Sequence, residues 1–307
     1  MPLTPATPPY RGRFAPSPTG PLHFGSLVAA AGSYLDAKAR GGEWLVRVED
    51  VDTPRNVPGA ARDILRALEG CGMEWDGPVV SQSTRADAYR AALHELRGRG
   101  LAYPCACSRR EIADSAVAGI EGFVYPGTCR AGIPAGRTAR AVRIATQGVA
   151  IAFDDLLLGH VVQNLETEIG DFILSRTDRV FAYQLAVVVD DAEQGITHVV
   201  RGADLLDSTP RQIYLQQLLH LPTPRHLHLP VALNALGEKL SKQTRAKPID
   251  QRRPLPALVA ALELLGQAPP RDLAAGSVGD FWAWALENWR IEKIPRARVR
   301  PAPAPLS

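Results

Sequence analysis

Short apolar stretches and helix-period stretches alternate along most of this chain. Strands with a buried face are followed by helices, an order typical of a parallel sheet that helices cover on both sides. The predicted elements are strands at 11–14, 45–49, 186–189 and 196–200, with helices from 22 or 25 to 39, at 59–69, from 84, from 209 and within 254–290. The pattern therefore predicts an α/β fold with a doubly wound parallel sheet.

Two of the predicted helix starts carry capping sequences. Thr84 and Asp87 have the Thr-x-x-Asp spacing of a capping box, and Ser277 and Asp280 repeat it with serine. In such a box each side chain accepts a backbone N–H of the other residue, which satisfies two donors that the first helical turn leaves open. We therefore expect one helix to begin at 84 and another at 277.

The alternation stops between 101 and 150, where Gly, Pro and Cys replace long helical periods. We interpret this stretch as a small insertion into a catalytic domain made of 10–100 and 151–250. Residues 251–294 are expected to form a short helical C-terminal part. The Pro/Ala/Arg-rich tail, 295–307, is expected to be flexible.

Composition excludes several classes of protein. Of 307 residues, 46% are hydrophobic and 22% are charged, which is enough apolar material for a folded core. The net charge of +3, from 35 Lys and Arg against 32 Asp and Glu, does not by itself indicate a nucleic-acid partner. No apolar run approaches the roughly 18 residues of a membrane span, and the Pro/Thr-rich start lacks the features of a secretory signal. We therefore expect a cytoplasmic monomer with no membrane partner.

Two loops have the chemistry of phosphate binding. The turn at 16–26 runs into a helix start, which presents backbone N–H groups and the positive end of the helix dipole. Within it, His23 can donate to a phosphate oxygen, and Gly25 allows a nucleotide to approach the backbone. The loop at 239–243 places two lysines beside a serine, where their charge can stabilise a phosphate transition state. Each loop alone is also typical of an ordinary turn or a solvated pair of lysines.

Together, the two loops resemble the HIGH and KMSKS signatures of class I aminoacyl-tRNA synthetases, in the same order. Further blocks resemble the glutamyl branch of that class: RFAPSPTG at 13–20, RVEDVDTPR at 47–55, GITHVVRGADL at 195–205 and STPRQ at 208–212. The resemblance implies a Rossmann-type catalytic domain that uses ATP with magnesium, and catalytic roles for His23 and Lys242. It also implies an ATP site made of His23, Gly25, Ser26, Lys239, Ser241 and Lys242.

One position departs from the signature and narrows the resemblance. Ser26 stands where HIGH has its last histidine, so a shorter hydroxyl replaces one expected phosphate contact. This change, the short C-terminal part and the cysteine-bearing insertion are similar to the glutamyl-Q tRNA(Asp) synthetase family, paralogues of glutamyl-tRNA synthetase without an anticodon-binding domain. Membership implies activation of L-glutamate with ATP and its transfer to queuosine in the anticodon loop of tRNA(Asp).

Charge selects the residues that suit glutamate. Arg13 and Arg201 can each hold a carboxylate in a bidentate fork, and Glu49 can accept the ammonium group. Tyr183 can add a phenolic hydrogen bond. The resemblance implies the same set and extends it over the first block to Phe14, Ala15, Pro16 and Ser17. Alternatively, Glu49 only pairs with Arg47 on one face of a strand.

Three of the four cysteines lie in the insertion. Cys105, Cys107 and Cys129 have the short spacing at which thiolates bind zinc, and zinc takes four ligands. The fourth position is open to Tyr125, to water or to Cys71, and the family pattern implies Tyr125. We expect one structural zinc, because the cluster is distant in sequence from both phosphate loops. Three free buried thiols are the alternative.

Other functions stay open at this point. A short glutamyl-tRNA synthetase would charge tRNA(Glu), a different nucleotidyltransferase could share the first turn, and an inactive RNA-binding protein could keep the fold. The 64 residues after Gln243 (307 minus 243) are fewer than the roughly 100 of an ordinary domain, which favours a compact acceptor over tRNA(Glu). Glutamate-dependent pyrophosphate exchange would exclude the last two alternatives.

Overall fold

A computed structural model describes residues 9–115, 118–120, 122–176, 180–240 and 248–303. Its strands are β1 (Arg11–Phe14), β2 (Glu43–Val48), β3 (Val80–Ser81), β4 (Ala102–Cys105), β5 (Ala118–Gly119), β6 (Gly122–Phe123), β7 (Ala141–Ile144), β8 (Ala150–Asp155), β9 (Gly159–Asn164), β10 (Ile173–Arg176), β11 (His198–Gly202), β12 (Arg225–Leu229), β13 (Val231–Leu233) and β14 (Val299–Pro301). Its α-helices are α1 (Phe24–Lys38), α2 (Ala60–Gly70), α3 (Ala86–Gly98), α4 (Arg109–Ser115), α5 (Leu165–Glu168), α6 (Tyr183–Glu193), α7 (Thr209–Leu218), α8 (Leu255–Leu264) and α9 (Val278–Asn288). Within the described ranges, none of these helices is long and apolar enough to cross a membrane.

The central sheet is parallel. β2 pairs with β1 on one side and with β3 on the other, and β11 pairs with β12, all in parallel register. The two groups meet just before β11, where the Thr197 N–H donates to the Arg11 carbonyl across 2.9 Å. β1 and β11 are therefore neighbours, although a long stretch of sequence separates them.

Successive residues of β1 and β2 face opposite sides, so the two faces of the sheet differ in chemistry. On one side Phe14, Trp44 and Val46 pack with α1, α8 and α9 in the main apolar core. On the other side Arg13 and Arg47 form ion pairs with the C-terminal end of α6. Helices on both faces confirm the predicted doubly wound α/β fold.

The inserted unit between β4 and β10 is antiparallel. β7 pairs with both β4 and β10, and β5–β6 and β8–β9 are hairpins. The three-stranded sheet packs on α3, α6 and α7 through a second apolar core. Because β10 belongs to this sheet and ends at Arg176, the unit extends past residue 150, the limit that the loss of helical period predicts.

The apolar run at 186–189 is helical, which corrects its prediction as a strand. It lies within α6, and residues 185–188 are at most 1% exposed because α3, α7 and β10 enclose this helix. A helix that is buried on all sides has no apolar stripe. A short apolar run in it therefore has the same pattern as a buried strand.

One of the two predicted capping boxes forms. Ser277 Oγ accepts the Asp280 N–H and Asp280 Oδ2 accepts the Ser277 N–H, each across 3.1 Å, at the start of α9. The box at Thr84 does not form, because α3 has Arg85 at its N-cap position, and Thr84 Oγ1 instead donates to the Ser81 carbonyl across 2.7 Å. A 3₁₀ turn occupies 82–84, and α3 begins only at Ala86.

The tail that composition predicts to be flexible contains a strand. β14 pairs in parallel with β13 over three residues of each. The following Ala302 is 8% exposed and packs into the main core. Pro- and Ala-rich composition indicates disorder when no partner is within reach, and here the edge of β13 supplies one. Residues 304–307 lie outside the described ranges.

Candidate active site

A cavity of about 620 Å³ opens at the carboxyl ends of the central strands. Ligands of parallel α/β sheets bind at this edge. The cavity wall contains the predicted residues Arg13, Phe14, Ala15, Pro16, Ser17, His23, Gly25, Ser26, Glu49, Tyr183, Arg201 and Lys239. Ser241 and Lys242 lie outside the described residues. Arg13 and Lys239, 226 residues apart in the chain (239 minus 13), thus share one site.

His23 forms the N-terminal cap of α1 at one end of the cavity. Its Nδ1 accepts the Ser26 N–H across 3.3 Å, so the proton of the neutral ring is on Nε2, which lies 2.9 Å from Ser26 Oγ. Ser26, which replaces the last histidine of the signature, therefore forms hydrogen bonds with His23, the first histidine of the signature. The free end of the helix dipole and these two side chains face the same space.

The two loops that the sequence predicts to bind phosphate meet at Gly25. A Cβ on this residue would lie 2.7 Å from the carbonyl oxygen of Leu240, a distance that side chains do not tolerate. On the other side of the second loop, Pro248 bridges to His23. Both described ends of the second loop therefore contact the first loop. The close approach of Leu240 explains why residue 25 is a glycine. Lys239 lines the cavity, and its ammonium group forms an ion pair with the carboxylate of Asp204.

Arg201 is a buried cation in the wall of the same cavity. It is 4% exposed, its Nη2 donates to Thr209 Oγ1 across 2.7 Å, and its Nε donates to His228 Nε2 across 3.1 Å. The third nitrogen, Nη1, lies 3.4 Å from the hydroxyl of Tyr183, which also lines the cavity. Hydrogen bonds from Nε and Nη2 thus fix the orientation of the guanidinium, and Nη1 faces the hydroxyl of Tyr183.

His228 is held as a neutral acceptor. Burial lowers its pKa to about 4, in spite of the Asp155 carboxylate 2.6 Å from Nδ1. Nδ1 donates to Asp155 Oδ2, so Nε2 carries no proton and can accept from Arg201. Asp155 also accepts the backbone N–H groups of Leu157 and Leu158. The chain from Asp155 through His228 sets the plane of the Arg201 guanidinium.

A buried ion network lies behind the part of the cavity wall that Arg13 and Glu49 form. Arg47 is fully buried, and its Nη2 lies 2.8 Å from Asp191 Oδ1 and 3.3 Å from Glu49 Oε1. Arg13 Nε donates to the same Asp191 oxygen across 3.1 Å. Although burial opposes ionisation, Arg13 and Arg47 hold the pKa of Asp191 below its usual value.

Glu49 takes part in both the network and the cavity. Burial raises its pKa, and Arg47 and Arg13 oppose that shift. The pairing of Glu49 with Arg47, which the sequence leaves as an alternative, is therefore real, but Glu49 also lines the cavity. A ligand ammonium group beside this carboxylate would favour its charged form.

The sequence does not reveal the residues behind this wall. Asp191 is visible only as one of two acids that end an apolar run, and the strand prediction for that run conceals its position. Asp155 and His228 stand 73 residues apart and show no local motif. Their single signal is the His-Leu-His alternation of β12, which places His226 and His228 on one face of the sheet.

The cysteines of the insertion form a compact cluster with Tyr125. The sulfur atoms of Cys105, Cys107 and Cys129 all lie within 4.8 Å of one another. The Tyr125 hydroxyl is 3.3 Å from Cys105 Sγ and 3.5 Å from Cys107 Sγ, and the Cys107 and Cys129 sulfurs are 3.7 Å apart. Such a cluster of thiols could hold a metal ion.

The donor set matches tetrahedral zinc. With Zn–S of about 2.3 Å and Zn–O of about 2.0 Å, the ligand atoms of a tetrahedron are separated by about 3.8 Å for two sulfurs and about 3.5 Å for sulfur and oxygen. The separations of the Tyr125 hydroxyl from the Cys105 and Cys107 sulfurs, and of the Cys107 sulfur from that of Cys129, are close to these values, and the Cys105 sulfur lies within 4.8 Å of the other two sulfurs. Cys71 instead lies in the main core, where burial raises its pKa to about 11 and keeps the thiol protonated. It does not belong to the cluster.

The chain is similar to known proteins along nearly its whole length. Residues 10–268 match the family model described as tRNA synthetases class I (E and Q), catalytic domain. The glutamyl-Q tRNA(Asp) synthetase of Dechloromonas aromatica is 62% identical over 298 residues, which cover 96% of this chain and 99% of that protein. The protein of the same name from Thiobacillus denitrificans is 55% identical over 294 residues, covering 96% and 98%.

Solved structures give the same likeness. A glutamate-tRNA synthetase from Elizabethkingia anophelis superposes with a TM-score of 0.79 at 26% sequence identity, covering 96% of this chain and 68% of that one. A glutamate tRNA ligase from Elizabethkingia meningosepticum, solved in complex with its amino acid, superposes with a TM-score of 0.78. The likeness therefore extends over the catalytic core and the inserted unit together.

Proposed function

We infer the function from an established premise: this chain belongs to the glutamyl-Q tRNA(Asp) synthetases, within the class I tRNA synthetases for glutamate and glutamine. We propose that it activates L-glutamate with ATP and transfers the glutamyl group to queuosine in the anticodon loop of tRNA(Asp), as a cytoplasmic monomer. The observation that carries this proposal is the composition of the cavity wall. The N-terminus of α1, a kind of site that suits phosphate, lines the same cavity as two buried arginines, Arg13 and Arg201, and the buried Glu49.

In the first step, an oxygen of the glutamate α-carboxylate attacks the α-phosphorus of ATP. The bond from that phosphorus to the bridging oxygen breaks, and pyrophosphate leaves with magnesium. Arg13 and Arg201 bind the carboxylates, and Glu49 accepts the ammonium group. His23 at the start of α1 stabilises charge on the phosphates, and Lys242 is assigned the same task by its place in the second signature.

In the second step, a hydroxyl oxygen of the queuosine cyclopentene ring attacks the carbonyl carbon of glutamyl-adenylate. The bond to the AMP oxygen breaks, AMP leaves, and the hydroxyl proton passes to solvent. Neither step needs a nucleophile from the protein. Catalysis rests on alignment of the reactants and on charge stabilisation.

The test of this proposal compares acceptors. We expect glutamate-dependent exchange of pyrophosphate into ATP without RNA, followed by glutamylation of queuosine-containing tRNA(Asp). The control is tRNA(Asp) from cells that cannot make queuosine, which should accept no glutamate. Glutamylation of this unmodified RNA, or a preference for tRNA(Glu), would refute the assigned acceptor. Absence of glutamate-dependent exchange would refute the whole reaction.

We propose one structural zinc for the cysteine cluster, held by Cys105, Cys107, Cys129 and Tyr125. The match of the known donor separations to a zinc tetrahedron supports it, as does the small size of the apolar cluster here, which among the described residues has only three buried members. Bound zinc would fix the loop after β4 to the stretch at 125–129. The ion takes no part in the proposed steps.

The role of His228 gives a prediction that separates positioning from folding. His228→Phe removes the acceptor of Arg201 Nε, and a hydrogen bond to a charged group contributes about 1.5–3 kcal/mol. We expect KM for glutamate in pyrophosphate exchange to rise about tenfold or more, with kcat little changed. His228→Gln, which keeps an acceptor near Nε2, should restore KM. Equal losses in both variants at unchanged KM would assign His228 to the fold alone.

A further inference from the structure

Two charged groups of the cavity wall are connected from behind by residues that do not line the cavity. Arg13 and Glu49 line it. Asp191 and Arg47 lie behind them, and all four residues are at most 9% exposed. Asp191 forms ion pairs with both arginines, and Arg47 in turn pairs with Glu49. The chain of ion pairs therefore begins and ends at groups to which we assign contacts with glutamate.

A single oxygen atom of Asp191 holds both arginines. Asp191 Oδ1 accepts from Arg13 Nε across 3.1 Å and lies 2.8 Å from Arg47 Nη2. Within the described residues this is the one hydrogen bond of the Arg13 guanidinium, so its Nη1 and Nη2 stay available to a ligand in the cavity. The position of Asp191 therefore sets the direction in which Arg13 presents these two nitrogens.

Arg47 fixes the other end of the chain of ion pairs. It is fully buried, and its Nη1 donates to Gln194 Oε1 across 2.7 Å. Its Nη2 is shared between Asp191 Oδ1, at 2.8 Å, and Glu49 Oε1, at 3.3 Å. The carboxylates of Asp191 and Glu49 are therefore coupled through one nitrogen atom.

The charges within this group of four residues balance, with two arginines against two carboxylates. A buried charge that loses its partner is strongly unfavourable, so without Asp191 the two arginines would have to share the Glu49 carboxylate. That carboxylate would then be drawn toward the arginines and away from a ligand ammonium group. Loss of Asp191 is therefore expected to disturb both contacts with glutamate at once.

We propose that Asp191 is a positioning residue of the amino-acid site, where it sets the spacing between Arg13 and Glu49. The covalent geometry of an amino acid limits the distances between its ammonium group and its carboxylates, so a site whose partners are already in place loses less conformational freedom on binding. Asp191 does not line the cavity and acts through the two arginines. This inference rests on the proposed function and adds to it the residue that orders the site before glutamate binds.

The test measures glutamate-dependent pyrophosphate exchange with the full chain and without RNA. Asp191→Ala should raise KM for glutamate about tenfold to a hundredfold, the range for loss of a hydrogen bond to a charged group, with kcat and KM for ATP little changed. Asp191→Asn keeps the volume and an acceptor oxygen but loses the charge. It should raise KM for glutamate by about half as much on a logarithmic scale, because charge-assisted hydrogen bonds are roughly twice as strong as neutral ones.

Asp190, one residue earlier in α6, provides the matched control. It is as buried as Asp191, but its carboxylate accepts from Gln82 and Tyr89, which do not line the active-site cavity. Asp190→Asn should lower the thermal midpoint of unfolding at least as much as Asp191→Asn does, and leave KM for glutamate unchanged. An unchanged KM in Asp191→Asn, or an equal rise in both asparagine variants, would overturn the proposal. These two isosteric variants decide it even if Asp191→Ala does not fold.

A double-mutant cycle identifies the group through which Asp191 acts. In the background of Arg13→Met, Asp191→Asn should change KM for glutamate much less than it does in the wild type, because the two residues act as a unit. Full additivity of the two losses would overturn the assigned role. Calorimetric titration of the same variants with glutamate gives this comparison without ATP. A wild type that binds glutamate but does not exchange pyrophosphate would count against the proposed function alone.

Discussion

Arg201→Met is expected to reduce glutamate-dependent pyrophosphate exchange by about two to three orders of magnitude. Truncation of one partner of a buried charged pair costs about 2–5 kcal/mol, and about 1.4 kcal/mol corresponds to tenfold. Methionine keeps much of the volume of Arg201, which is 4% exposed, but offers no donor to a carboxylate. Exchange assays over a range of glutamate concentrations give kcat and KM separately.

Two controls distinguish charge from geometry. Arg201→Lys keeps the cation but replaces the planar fork of guanidinium donors by a single nitrogen, so it should retain only part of the affinity for glutamate. Arg62→Met removes an arginine whose side chain is 67% exposed, and should leave exchange unchanged. Wild-type KM for glutamate in Arg201→Met would contradict the role assigned to this residue.

Cys107→Ser is expected to abolish zinc binding and to destabilise the inserted unit. A serine hydroxyl is a poor ligand at neutral pH, and structural zinc supplies on the order of 10 kcal/mol of folding free energy in small metal domains. We expect about one zinc per wild-type chain and none in the variant, by metal analysis of protein purified without chelator. Backbone amides of β4 and β7 should exchange hydrogen faster in the variant, because these strands flank the cluster.

Cys71→Ala provides the matched control for the metal. Cys71 is as buried as Cys105, but it lies in the main core. Its loss should lower the free energy of unfolding through the cavity that it leaves, without loss of zinc. Zinc that persists in Cys107→Ser, or is absent from native protein, would contradict the proposed ligand set.

Much of the site could be predicted because parallel strands end at one edge. Arg13, Glu49 and Arg201 each belong to or directly follow a strand of the central sheet, so motifs read separately along the chain converge in one cavity. Tyr183 is predicted from the resemblance and from its hydroxyl, whereas the pattern of the run after it predicts a strand instead of the helix that Tyr183 begins.

The supporting residues could not be predicted, because long-range packing decides them. Asp155 is the last residue of β8 and His228 lies in β12, and only the folding of the chain brings these two side chains together. β14 likewise forms because it pairs with the edge of β13, and the composition of the β14 segment gives no sign of this pairing. The assignments of Ser241 and Lys242 stay predictions, since both lie outside the described residues.

β13 connects the end of the described chain to the loop that we predict to bind phosphate. Its residues Val231 and Leu233 bond to the stretch around β14, whereas Ala232 between them accepts the Leu240 N–H on the opposite edge. A strain on β14 therefore acts through a single short strand on the backbone beside Gly25. We expect fusion of a bulky tag at this end, or removal of the last ten residues, to alter the backbone beside Gly25, where we propose that ATP binds.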